Sequence, residues 1–263
     1  MIIIHVKSLL KEYAMKAKQV LEISLCAGQM LLSSGAESYR VEETIERICN
    51  AYNLKCECMV TAKGVFISII DLNDEKVTSL KKIRTRNVDL YRIELINSFS
   101  RDIQHDPVSY EKAKQILKDI EQAPYFSFPI RLFAASMTSF IYSLFFNGTI
   151  CDSIISVIIS IVIYFILEKI SGIVFLQFFL SGFIIGIASI IAQNLIPLVN
   201  KGNVITGSIM ILLPGVPLTN GIKDIISGDF ESGITKFGEA MLIITAVGAG
   251  IGSALTIGMG IRL

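Results

Sequence analysis

The residues best suited to chemistry lie between Leu213 and Asp229, in Leu213-Pro-Gly-Val-Pro-Leu-Thr-Asn-Gly-Ile-Lys-Asp-Ile-Ile-Ser-Gly-Asp229. Pro214 lacks an amide donor and crowds the carbonyl four residues back, near Met210. Gly215 and Gly221 permit backbone angles closed to other residues. In an apolar setting, freed amides attract a carboxylate and freed carbonyls attract a cation. Thr219 and Asn220 add neutral hydrogen-bonding groups, and Asp224 and Asp229 can take protons or hold an ammonium group. The same residues also describe a plainer element, a helix that stops at Pro-Gly with Asp229 capping the next one. Residue types alone leave both readings open.

Other ionisable groups are sparse after residue 131. Glu239 stands near the start of an apolar stretch, where a carboxylate is costly and often functional, although an interfacial position lowers that cost. Asp152 reads as an ordinary interfacial carboxylate. Upstream, Glu37, Arg40, Glu43 and Arg47 fall at three- and four-residue steps, giving one charged stripe on a helix. The stripe is a solvated face, a docking surface or a substrate-handling site. No GxxxxGK[ST] loop is present, and His5 and His105 are the only histidines, so no nucleophile–histidine pairing can be argued. Cys56-Glu-Cys58 would point two thiols to one face of a strand. Without a second cysteine pair the ligand count for zinc is not met, so neither a metal nor a cofactor is expected.

These groups are carried by two unlike halves. Nineteen of the 24 Lys and Arg, and seventeen of the 23 Asp and Glu, occur by Arg131. The mean hydropathy is +0.61 and only 18% of residues are charged, so the remainder is strongly apolar. No basic patch of the kind that binds nucleic acid stands out. In the first half, helices are expected from about Val6 to Leu32 and from a Ser34–Glu37 capping box to about Asn50. Strands follow at Leu54–Thr61, Val65–Asp71 and Lys76–Thr85, as an antiparallel meander. Helices then resume at Asp89–Ile103 and from Asp106-Pro107 to about Ile120. The expectation is a soluble α+β domain over residues 1–125.

Residues 126–263 are expected to form a membrane α-helical bundle of about five segments. The apolar stretches are Pro129–Asn147, Ile150–Leu167, Gly172–Ala192, Val204–Leu218 and Phe237–Ile261. The fourth is broken by proline, so its backbone must be sheltered from lipid by protein or face a water-filled cavity. Small residues four apart, Gly182/Gly186 and Gly248/Gly252, are expected at close helix contacts. No secretory leader is visible, so the first half is expected in the cytoplasm. That orientation also puts Glu168-Lys169 and the Lys223–Lys236 loop inside. The chain is then a multi-pass protein of the cytoplasmic (inner) membrane.

Three segments, in order, resemble the threonine/serine exporter family, in the form of the N-terminal component of its split, two-chain version. They are Ser34-Gly-Ala-Glu-Ser-Tyr-Arg-Val-Glu-Glu-Thr-Ile-Glu-Arg-Ile48, Ile83-Arg-Thr-Arg-Asn-Val-Asp-Leu90, and Pro214 to Asp224 with Gly228-Asp229. The resemblance implies export of threonine, serine or another small carboxylate, with succinate as the dicarboxylate example, driven by the membrane potential or a proton gradient. It implies no enzyme activity, a separate small integral-membrane partner subunit, and an oligomer in the bilayer. It makes Gly35, Glu37, Arg40, Glu42, Arg86 and Asp89 functional candidates beside Pro214, Gly215, Thr219, Asn220, Asp224 and Asp229. Asp224 or Glu239 would couple protons. The rival readings are a membrane-anchored hydrolase using Glu37, Glu42, Glu43 or Asp89, and a regulatory or assembly subunit.

Overall fold

The computed structural model describes residues 17–70, 76–83, 87–169 and 173–261. Arg86, and the expected helix before Ala17, lie outside the described residues. In chain order the elements are α1 (Ala17–Ser33), α2 (Ser38–Ala51), β1 (Lys55–Thr61), β2 (Gly64–Ile70), β3 (Lys76–Lys82), α3 (Leu90–His105), α4 (Tyr110–Glu121), α5 (Phe128–Phe145), α6 (Ile150–Lys169), α7 (Val174–Leu195), α8 (Lys201–Ile209), α9 (Gly215–Ile226) and α10 (Phe230–Ile261). They form two compact units. The first takes the described residues up to Pro124 together with Val216–Phe237, and the second takes Tyr125–Gly215 and the chain from Gly238 onward.

In the first unit the three strands pair antiparallel in the order β1-β2-β3, with Met59 opposite Phe66 and Phe66 opposite Leu80. Alternation sends Val65, Ile67 and Ile69 inward against α1, while Phe66 and Ile70 face out. Cys56, Cys58 and Val60 turn to the α2 side of β1. Helix α2 presents Val41, Ile45 and Ile48 at steps of three and four, and all three are buried. Helix α4 begins at Tyr110 with Ser109 as its N-cap, three residues after the Pro107 start read from sequence.

The second unit is helical. Four helices among the described residues, α5, α6, α7 and the Phe230–Met259 part of α10, are long and apolar enough to cross a membrane. The fourth of the five expected stretches is not among them, because it does not form one helix. It gives α8, only nine residues, then a turn in which Leu212 N donates to Ile209 O, then α9. At a rise of ~1.5 Å per residue, α8 reaches about 13 Å, less than half a bilayer core. It packs against α5, α6 and α7, burying Val204, Gly207 and Ser208, so this face of the short helix is sheltered by protein.

Glycines decide the closest helix contacts. A Cβ on Gly182 would strike the Val247 carbonyl, and one on Gly186 would lie 2.5 Å from Ala254 Cβ, so α7 meets α10 along this pair as expected. The pair Gly248/Gly252 behaves otherwise, with nothing within 4 Å of either added Cβ, and Gly250 makes the contact to Phe179 and Phe183 instead. The spacing alone could not tell which side of α10 meets α7.

Candidate functional site

The site begins at the turn from α1 to α2. Gly35 has φ +86°, its N–H donates to Leu32 O (3.2 Å), and Ala36 N–H donates to Leu31 O (3.1 Å). This is a Schellman turn, which places a glycine at the left-handed position and satisfies the last carbonyls of the helix. The expected Ser34 capping box therefore does not form. Glu37 is the N-cap residue of α2, without a capping bond from its side chain. The turn leaves the Gly35 and Ala36 carbonyls pointing away from α1 as acceptors. Gly35→Ala would force a β-carbon into the left-handed region, at about 1–2 kcal/mol. The expected result is a lower unfolding midpoint in detergent, and an unchanged midpoint would contradict the turn.

All three sequence motifs converge here. From the second, Asn87 N–H donates to Ser33 O (2.9 Å) and Asp89 N–H to Ser34 O (3.1 Å). Asp89 also caps α3, accepting from Arg92 N at 3.0 Å. From the third, Asn220 Nδ2 donates to Gly35 O at 2.7 Å. Asp224 is fully buried; its Oδ1 accepts from Ser38 N (3.0 Å), and its Oδ2 accepts from Ser38 Oγ (3.2 Å) and Lys236 Nζ (2.7 Å). Lys236 is also buried, and its ammonium donates to Ala36 O (3.1 Å) and Ser38 Oγ (3.4 Å) as well. Every charge in this buried pair thus meets a partner, as burial of ions demands.

The α9–α10 hairpin is shaped to deliver these groups. Gly228 has φ +93°, with Gly228 N donating to Ile225 O and Asp229 N to Asp224 O, a second Schellman turn. Asp229 then caps α10 through Ser232 N at 3.2 Å, which is the plainer of its two sequence readings. Gly221 lets the helices cross at backbone distance, since a Cβ there would lie 2.8 Å from Phe237 N and 3.1 Å from Gly233 O. Thus Asn220, Gly221, Asp224, Gly228 and Asp229 all serve the packing of this hairpin within the first unit.

The charged stripe of α2 divides. Glu37 is buried and pairs with Lys223 (2.9 Å) and Arg40 (3.3 Å), whereas Glu43 pairs with Arg47 in solvent. Burial works against ionisation of Glu37, but the Lys223 hydrogen bond, a backbone amide and the Arg40 charge outweigh it and hold the carboxyl below the ordinary glutamate value. Its contribution to stability is therefore present above the unfolded-state value and is lost as pH falls through the depressed folded value. Comparing unfolding midpoints of wild type and Glu37→Gln across pH 3–7 should show the two curves converging only at the acid end. Glu42 accepts from Val60 N at 3.0 Å and ties α2 to β1. Its carboxyl is raised, by burial first and by the negative charges of Asp229, Glu46 and Asp224.

The structure therefore brings Gly35, Glu37, Asn220, Asp224 and Asp89 together, with Arg40 beside Glu37. Pro214, Gly215 and Glu239 belong to the second unit. Thr219 is exposed on α9 and donates to Val216 O at 3.1 Å. Sequence reasoning missed Lys236, which read as a loop charge, and Ser38. The available signal was that Lys236 and Ser232 sit one turn apart, flanking Gly233 of the close crossing. It also treated Asp152 as incidental. That carboxylate is fully buried in the second unit, accepting from Asn200 N (2.7 Å), Thr149 N (2.8 Å) and Asn203 Nδ2 (3.2 Å), so it joins the start of α6 to the start of α8.

Comparison with known proteins agrees with this architecture. The family model for threonine/serine exporters matches residues 22–258. The chain is 23% identical over 240 residues to the "Probable threonine/serine exporter" of Mycobacterium tuberculosis, covering 89% of this chain and 45% of that protein. It is 23% identical to the "Threonine/serine exporter" of Corynebacterium glutamicum, covering 89% and 50%. It is 22% identical to the "Probable succinate transporter subunit YjjP" of Escherichia coli, covering 91% and 95%. The chain thus spans about half the length of the two exporters. No solved structure matches it. With four helices able to cross a bilayer and a match over nearly its whole length, the chain is a multi-pass membrane protein and belongs to the threonine/serine exporter family, a family of transporters rather than enzymes.

Proposed function

We propose that the chain is one subunit of an exporter that carries small amino acids or small carboxylates out of the cytoplasm, working with a separate small membrane partner. The observation that carries this reading is the buried Asp224–Lys236 pair. It fastens the turn of the first motif to the foot of α10, whose apolar remainder is the longest candidate span. The first unit thus holds the opening turns of the helix that supplies that span. The partner is supported by the name of the Escherichia coli relative, which is called a transporter subunit.

In this reading Asn220, Asp224 and Asp229 hold the hairpin in place rather than meeting substrate. Substrate contact falls to Pro214 and Gly215, and Glu239 is the proton-coupling carboxylate. The test is efflux from proteoliposomes loaded with threonine, serine or succinate, containing the chain with or without its partner. Efflux with both subunits and none with either alone is the expected result. Efflux by this chain alone would remove the partner, and no efflux of any of the three with both subunits would overturn the reading.

A further inference from the structure

The interior of the second unit is apolar except for Asp152 and a set of serines, and most of the serines treat their hydroxyls alike. Ser136, Ser153, Ser156, Ser181 and Ser189 each donate to the carbonyl four residues back, the usual remedy for a serine inside a helix. Ser139 and Ser143 on α5 and Ser208 on α8 do not. All three are fully buried, and their hydroxyls have no hydrogen-bond partner among the described residues. Leaving a hydroxyl unpaired in hydrocarbon-like surroundings is unfavourable by roughly 1–3 kcal/mol or more, so three such groups need a reason.

Two of them lie at one helix contact, and the third follows it in sequence. Helix α8 packs on α5 at Gly207, where an added Cβ would lie 2.7 Å from Ser143 Cβ and 2.8 Å from both Ser139 O and Ser156 Oγ. Ser208 is the next residue, one before the end of α8 at Ile209. The last carbonyls of a helix lack intrahelical partners and form the negative end of its dipole. A half-helix C-terminus beside hydroxyl oxygens is a setting for a small cation. The hydroxyls and carbonyls on the two sides of this contact are neutral, which suits one positive charge rather than two. We propose that Ser139, Ser143 and Ser208, with the C-terminal end of α8, bind a compact monovalent cation, either Na⁺ or the α-ammonium group of an amino acid.

The ammonium form rests on the exporter reading, and the Na⁺ form does not. The test is thermal unfolding of the full chain in lipid nanodiscs. NaCl is titrated against N-methylglucamine chloride, and in separate arms L-serine and succinate are added without Na⁺. Wild type is compared with Ser139→Ala/Ser208→Ala, and with Ser156→Ala, whose hydroxyl is already bonded. A midpoint that rises with NaCl, with affinity weakened at least tenfold in the double variant and kept in Ser156→Ala, assigns Na⁺. A rise with L-serine but not succinate, lost in the same way, assigns the ammonium group. No rise with either ligand, or a rise equal in wild type and the double variant, overturns the site. Efflux with the partner present is read separately, so a failed exporter reading leaves a Na⁺ response standing, and a failed cation site leaves efflux standing.

Discussion

Asp224→Ala is expected to lower the unfolding free energy by about 3–5 kcal/mol, because it strands the buried Lys236 ammonium and the Ser38 amide without their acceptor. That is a large part of the stability of most domains, so the variant should reach the membrane in reduced amount and lose efflux for that reason. A coupling role alone would abolish efflux at normal protein levels, so measuring both separates the two. The companion variant removes both charges, Asp224→Leu with Lys236→Met. Replacing a whole buried pair by apolar groups of similar volume is often neutral or stabilising, so the double variant should regain most of the lost midpoint. If Asp224→Ala unfolds at the wild-type temperature, the pair does not hold the hairpin.

Asp152→Ala should be nearly as damaging, in the other unit. The substitution leaves Asn200 N, Thr149 N and Asn203 Nδ2 without their common acceptor. Unsatisfied buried donors cost about 1–3 kcal/mol each, and partial access to water lowers the total to about 2–4 kcal/mol. The carboxylate also faces the positive ends of α6 and α8, where a negative charge is favoured. Asp152→Asn keeps one acceptor oxygen and should fall between wild type and Ala. Denaturant titration of the three proteins in one detergent gives the order, and an Ala variant as stable as wild type would show that α8 needs no such anchor.

The strands and helices from Ser38 to Glu121 were legible because each is short and regularly patterned, with a strand period of two in Val65, Ile67 and Ile69 and a helix period in Val41, Ile45 and Ile48. The broken fourth stretch was legible from Pro214, because a missing amide and a ring clash act locally whatever surrounds them. The partners of Asp224 were not. Ser38 is 186 residues away and Lys236 twelve, across a turn whose geometry depends on Gly228. Spacing rules reach about one turn along a helix and say nothing of pairs closed by tertiary contact. The capping box failed for a related reason. Ser34-x-x-Glu37 fits the pattern, but the left-handed Gly35 turns the backbone before Ser34 can act as the cap. Glu37 instead answers Lys223, a residue no local rule connects to it.

The crossing at Gly221 and Gly233 has a mechanical corollary. Where two helices touch backbone to backbone, no side chain lies between them to change rotamer and absorb a shear. A push on one is passed to the other almost undiminished. With the ion pair riveting the same two helices nearby, α9 and the first two turns of α10 form a stiff bracket that tilts as one piece or not at all.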